Sequence, residues 1–143
     1  MLKLACETRI AAAPETVFAI ITDVGRYDEW NPWNVRGEGT AVAGATIGIT
    51  ALVGKREMQV KHKILELRPC ERFVWCDVGL ATHFYYSERA RSLHRDGDGV
   101  RYRVELTTTG PLAWLVKLSM GRSLHASMLA EMEALKRRAE ARG

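Results

Sequence analysis

No stretch of this chain approaches the roughly 20 consecutive apolar residues of a bilayer-spanning helix, so none of its helices is expected to cross a membrane. The apolar stretch of about 7–15 residues that a secretory leader carries is also missing. Only Met1 to Ala5 precede Cys6, and Glu7 and Arg9 interrupt the apolar residues after it. A cytoplasmic protein is the expectation. Cysteine is scarce: Cys6, Cys70 and Cys76 cannot all pair within one chain. None forms C-x-x-C or stands at zinc-ligand spacing from a histidine, so reduced thiols are expected. The four histidines, His62, His83, His94 and His125, form neither H-x-x-x-H nor H-E-x-x-H, which argues against a metal site. There is no G-x-S-x-G, no recognisable triad and no carboxylate pair at convincing spacing. Gly37-x-Gly39 and Gly44 sit in turns between short strands rather than before a helix, so no phosphate loop is formed. No cofactor is expected.

Charge of neither sign is in large excess; the net value is +4. Much of it sits in the tail, at Lys136, Arg137, Arg138 and Arg142, where Glu131, Glu133 and Glu140 are interspersed. The tail therefore reads as a solvated helix end whose cations complement the helix dipole. A nucleic acid or an acidic membrane as partner has only this basic tail as its motive.

What is present is an ordinary globular composition, 47% hydrophobic and 27% charged over 143 residues, enough for one domain, 1–143, with its own core. Leu2 to Ala11 alternates as a strand. Pro14 and Glu15 open a helix that runs to Thr22, because proline needs no N–H in a first turn and an acid meets the positive dipole end. Arg26 to Trp30 forms one more short turn. Strands are then expected over Ala45 to Val53, Met58 to Leu67, Arg72 to Val78, Phe84 to Arg95 and Val100 to Thr109. Leu65 and Leu67 fall out of phase with Met58, Val60, His62 and Ile64, which places a bulge near Ile64. Asp96-Gly97-Asp98-Gly99 is a hairpin signal. From Pro111 to Arg142 runs one long helix, with Leu124, Met128, Met132 and Leu135 in a stripe and Gly121 as a weak point for a kink. Consecutive antiparallel strands with helices gathered on one side make an α+β layout.

Three segments carry a resemblance: Ala13-Pro14-Glu15-x-Val17-Phe18, then Asp23-Val24-x-x-Tyr27-x-x-Trp30-Asn31-Pro32-Trp33, and the closing helix ending Leu135-Lys136-Arg137-Arg138. In these the chain resembles the START-like superfamily, which includes the pollen allergens, the polyketide cyclase/dehydrase-like proteins and the lipid-transfer START domains. The resemblance implies a helix-grip fold: about seven antiparallel strands curled round the C-terminal helix, two short helices after strand 1, and a deep pocket between sheet and helix. It implies a ligand-holding cavity and leaves the activity open, since one such cavity serves carriers, sensors and cyclases.

Within that frame Trp30 is expected to plug the core, and Trp33 either to pack or to line the cavity. Phe73, Trp75, Tyr102, Val104 and Leu106 share inward phases, as core or as cavity wall. Met58, Val60, Met120, Leu124, Met128 and Met132 extend the same surface, with thioethers suited to irregular shapes. His62 lies among them as a hydrogen-bonded core histidine or as an acid–base group. Asp77 is expected in solvent. In the sixth strand an inward Leu93 takes Arg91, Arg89, Ser87 and Tyr85 inward too; a bulge returns the arginines to water. Inward arginines require an acidic partner, a carboxylate ligand or a wet cavity.

Two functions are consistent with this pattern. One is a carrier or sensor of a small hydrophobic, aromatic or lipid-like molecule, acting as monomer or homodimer. The other is a polyketide cyclase, aromatase or dehydrase in which His62, Tyr102, Arg89 or Tyr85 moves protons or polarises carbonyls.

Overall fold

The computed structural model describes residues 1–142. The strands are β1 (Leu2–Ile10), β2 (Asn34–Glu38), β3 (Thr46–Val53), β4 (Arg56–Arg68), β5 (Arg72–Asp77), β6 (Tyr86–Asp96) and β7 (Gly99–Thr109). Helix α1 spans Pro14–Thr22 and α2 spans Ala113–Arg142, with short 3-10 turns at Val24–Glu29 and Leu80–His83. All seven strands form one sheet in the order β1-β7-β6-β5-β4-β3-β2. Every neighbouring pair is antiparallel. The helix-grip layout is therefore as the sequence implies: a meander from β2 to β7, with β1 joined to β7 and α2 laid across one face.

Local chemistry accounts for most boundaries. The β6–β7 hairpin closes on the two residues Gly97-Asp98, between the paired Asp96 and Gly99. Gly97 adopts φ 64°, the positive φ at the first central position that suits a two-residue hairpin turn. The expected bulge in β4 is present, as a register shift against β5 between Ile64 and Glu66. It puts Ile64 in the core while Leu65 is exposed. Strand β2 was not singled out in the sequence; it is short, contains Gly37, and its register breaks between Asn34 and Arg36. The sixth strand begins at Tyr86 rather than Phe84, because Phe84 caps the Leu80–His83 turn by donating its N–H to the Ala81 carbonyl.

The two halves of α2 differ. From Met128 onward the helix buries Met128, Glu131, Met132, Ala134, Leu135 and Ala139. This half is tied to β1 and the turn after it: the Lys136 ammonium donates to the Arg9 carbonyl at 2.7 Å, and the Ala11 N–H donates to Glu140 at 2.9 Å. Arg138 is paired with Glu29, so two of the tail cations are engaged inside the fold. Towards the N-terminus only Ala113 is buried. Val116, Met120 and Leu124 continue the apolar stripe at four-residue spacing, yet each stays half-buried. One stripe is therefore gripped by the sheet at one end and held off it at the other.

Gly121 does not break this helix, which is continuous from Ala113 to Arg142. A methyl group there would meet nothing within 4 Å. Gly121→Ala is accordingly expected to raise stability by up to about 1 kcal/mol, from helix propensity alone, as read by urea denaturation.

Candidate functional site: a cavity under the first half of the long helix

Where α2 stands off the sheet, a cavity of about 230 Å³ remains, lined by His62, Trp75, Asp77, Tyr85, Ser87, Arg89, Leu106, Thr108, Val116, Met120 and Leu124. The wall towards α2 is apolar, and the sheet side is aromatic and polar. A neighbouring hollow of about 460 Å³ between β4 and the Leu80–His83 turn shares Asp77 and Tyr85 with it.

The sheet side is built by strand pairing. Arg89 on β6 faces Trp75 on β5 and Leu106 on β7, while Arg91 faces Phe73 and Val104. There is no bulge in β6, so both arginines point inward with Leu93, and they are only 7% and 1% exposed. Both guanidinium groups lie close to aromatic rings. The Arg89 Cζ lies 4.0 Å from the Trp33 ring centre and 5.1 Å from that of Trp75. Arg91 Cζ lies 3.9 Å from Trp75 and 4.9 Å from Phe73. His62 stacks on Trp75 with ring centres 4.8 Å apart and planes nearly parallel, at 2°. Desolvated cation–π contacts of this kind contribute about 2 kcal/mol each.

Among the described residues Glu131, on α2, is a buried acid. It accepts hydrogen bonds from the side-chain amides of Asn31 (2.7 Å) and Asn34. Asn31 in turn accepts the backbone N–H groups of Trp33 (3.0 Å) and Asn34 (2.9 Å) on its own side-chain oxygen. The Asn31-Pro32-Trp33-Asn34 stretch is thus a self-capped turn that clamps Glu131 and presents Trp33 to Arg89. Trp33 is buried and packs, whereas Trp30 is only partly buried, edge-on to Tyr27 at 5.4 Å. Both tryptophans therefore pack, Trp33 within the core and Trp30 against its edge.

Of the residues singled out in the sequence, His62, Trp75, Tyr85, Arg89, Leu106, Met120 and Leu124 come together around the cavity. Phe73, Tyr102, Val104 and Met128 do not; they are buried in the core cluster beyond its reach, where the second half of α2 closes on the sheet. Tyr102 is wholly enclosed and its phenol is pushed far above the ordinary range by burial. Met58 is 48% exposed, because β4 runs past the sheet region that α2 covers. Val60 lines the neighbouring hollow. Asp77, expected in solvent, lines the cavity instead: its carboxylate accepts the Ser87 N–H at 3.1 Å, and burial raises its pKa. Thr108, Val116 and the clamp of Asn31, Asn34 and Glu131 were not anticipated. Glu131 had a readable signal, since it falls on the apolar stripe three residues after Met128 and four before Leu135.

His62 is held neutral. Burial first, then the nearby Arg89 and Arg91 charges, push its pKa from 6.5 down to about 3. In the unfolded chain it would protonate near 6.5, so below that pH the unfolded state binds the extra proton and stability is lost as pH falls towards about 3. The expected loss relative to His62→Leu is up to about 1.4 kcal/mol per pH unit across that window. Paired urea titrations at several pH values measure it.

Among the described residues no group of three or more His, Cys, Asp or Glu side chains is placed to hold a metal ion, and no helix is long and apolar enough to cross a membrane.

A curved sheet gripping a long helix over a partly open cavity is the architecture of a known family. The chain belongs to the polyketide cyclase/dehydrase and lipid transport family, whose model matches residues 1–140. Solved structures share the fold over nearly its whole length. A START superfamily protein from Mycobacterium smegmatis is 19% identical with a TM-score of 0.77, covering 99% of each chain. The Aha1 dimer from Colwellia psychrerythraea is 18% identical with a TM-score of 0.78, covering 98% of this chain and 97% of that one. The di-domain ARO/CYC StfQ from the steffimycin biosynthetic pathway is 14% identical with a TM-score of 0.79; the match covers 98% of this chain and 51% of StfQ. At these identities the likeness shows the fold alone. No curated protein matches the sequence. Family and fold are consistent with hydrophobic-ligand binding or with cyclase-like chemistry.

Proposed function

We propose that this protein binds one small hydrophobic molecule between its sheet and the first half of α2, as a carrier or sensor. One observation carries the reading. The apolar stripe of α2 runs on from Leu135 to Val116, but the protein's own side chains cover only its second half, leaving about 230 Å³ beneath Val116, Met120 and Leu124. Apolar surface kept in contact with a concave space, with a few polar groups at one side, is the usual form of a small-molecule site.

The cyclase reading has the likeness to StfQ and the presence of His62, Tyr85 and Arg89 at the cavity in its favour. The acid–base chemistry argues the other way. A general base works best with a pKa near the operating pH, whereas His62 sits at about 3 and Tyr102 lies outside the cavity. The binding reading is therefore preferred.

A thermal-shift panel of lipids, flavonoids and aromatic polyketides tests it. At least one class is expected to raise the wild-type melting temperature in a saturable way. Leu124→Trp, which fills the cavity, is expected to abolish that rise. Equal stabilisation of both proteins would discard the site. Turnover of a poly-β-keto substrate mimic, lost in His62→Ala, would put the enzymatic reading in its place.

A further inference from the structure

The cavity contains a cation whose donors the protein does not use. Arg89 is 7% exposed, and its Nε and Nη1 are buried with no hydrogen-bond partner. Its Cζ lies close to the rings of Trp33 and Trp75, and the side chain lines the cavity through its Nη2 end, since Nε and Nη1 are closed off from it. The nearest acids are engaged elsewhere. Glu131 is held by Asn31 and Asn34, and Asp77 by the Ser87 N–H, with His62 Nδ1 at 3.5 Å from it. Neither forms an ion pair with Arg89 among the described residues. A desolvated charge with idle donors is costly unless something pairs with it.

Resting on the binding reading above, we propose that the ligand is a small apolar acid, its carboxylate hydrogen-bonded to the Arg89 guanidinium and its hydrocarbon body lying under Met120 and Leu124. A charge-assisted hydrogen bond from Nη2 to a carboxylate is about twice as strong as a neutral one and places the anion beside the buried cation. Size agrees: the cavity of about 230 Å³ falls below the roughly 300–1,000 Å³ of drug-sized sites, which suits a bicyclic aromatic acid or a short fatty acid. Burial lowers the Arg89 pKa to about 10, opposed by the charge of Glu131, and the group is cationic at neutral pH.

Calorimetric titration with 2-naphthoate, its isosteric neutral amide 2-naphthamide and the cationic 2-naphthylmethylamine tests the assignment. The wild-type protein is expected to bind the carboxylate at least about tenfold more tightly than the amide, and the amine not at all. This comparison needs no variant. Arg89→Met, checked for folding by thermal denaturation, is expected to bring carboxylate and amide to within about twofold of each other. Equal affinity of the wild type for carboxylate and amide would overturn the acid assignment and leave the hydrophobic-ligand reading standing. Persistence of the carboxylate preference in a folded Arg89→Met would also overturn it. Failure of all three probes to bind, together with a flat thermal-shift panel, would remove both.

Discussion

Replacing Glu131 by alanine is expected to cost about 2–6 kcal/mol of folding stability, because two buried amide donors lose their acceptor at about 1–3 kcal/mol each. The substitution leaves the buried side-chain amides of Asn31 and Asn34 without their acceptor. It also removes the negative charge that offsets the buried Arg89. The same change unlocks the Asn31-Pro32-Trp33-Asn34 turn from α2, so Trp33 loses its fixed place over Arg89. Glu133→Ala supplies the control: two residues away and exposed, it is expected to change stability by less than about 0.5 kcal/mol. Urea denaturation of the two variants separates the clamp from a general effect of helix charge. Equal and small losses in both would mean that Glu131 is a solvated tail residue, as its neighbours in sequence suggest.

Trp75→Ala is expected to have an effect of similar size, about 3–5 kcal/mol for truncating a fully enclosed aromatic. Trp75 is 1% exposed and touches His62, Phe73, Arg89 and Arg91 through its ring. The loss has two parts: apolar area and packing, and the π-face that makes a buried Arg91 tolerable. Phenylalanine restores part of each, so Trp75→Phe is expected to fall between wild type and alanine. A loss in Trp75→Ala no larger than that of an average surface substitution would contradict the stacked arrangement.

Much of the frame can be read from residue patterns because it rests on local rules. The Pro14-Glu15 helix start, the Gly97-Asp98 hairpin and the phase slip at Ile64 each arise from one or two residues whose backbone preferences are strong. The phase of β6 was legible only as a conditional: once Leu93 is inward, Arg89 and Arg91 must be, but nothing within the strand says what makes two buried guanidinium groups acceptable. That answer is distributed over Trp33, Phe73, Trp75 and Glu131, which are far apart in sequence, and only the folded chain brings them together. The cavity wall was half legible for a similar reason. Met120 and Met128 are equivalent on the helical stripe, and the sequence pattern assigns them alike. Which of them meets protein and which meets open space depends on where α2 lifts from the sheet, a property of the whole layer rather than of the helix.

Methionine offers the most direct measurement of that difference, since the chain has five, at positions 1, 58, 120, 128 and 132. Methyl-labelled methionine spectra recorded while the neutral bicyclic 2-naphthol is added would report on each separately. A guest under the first half of α2 is expected to move the Met120 signal saturably and to leave Met58 unchanged, with Met128 and Met132 shifting less because they are packed in the core. An unmoved Met120 at saturating probe, or shifts confined to exposed Met1 and Met58, would contradict a guest site beneath the helix.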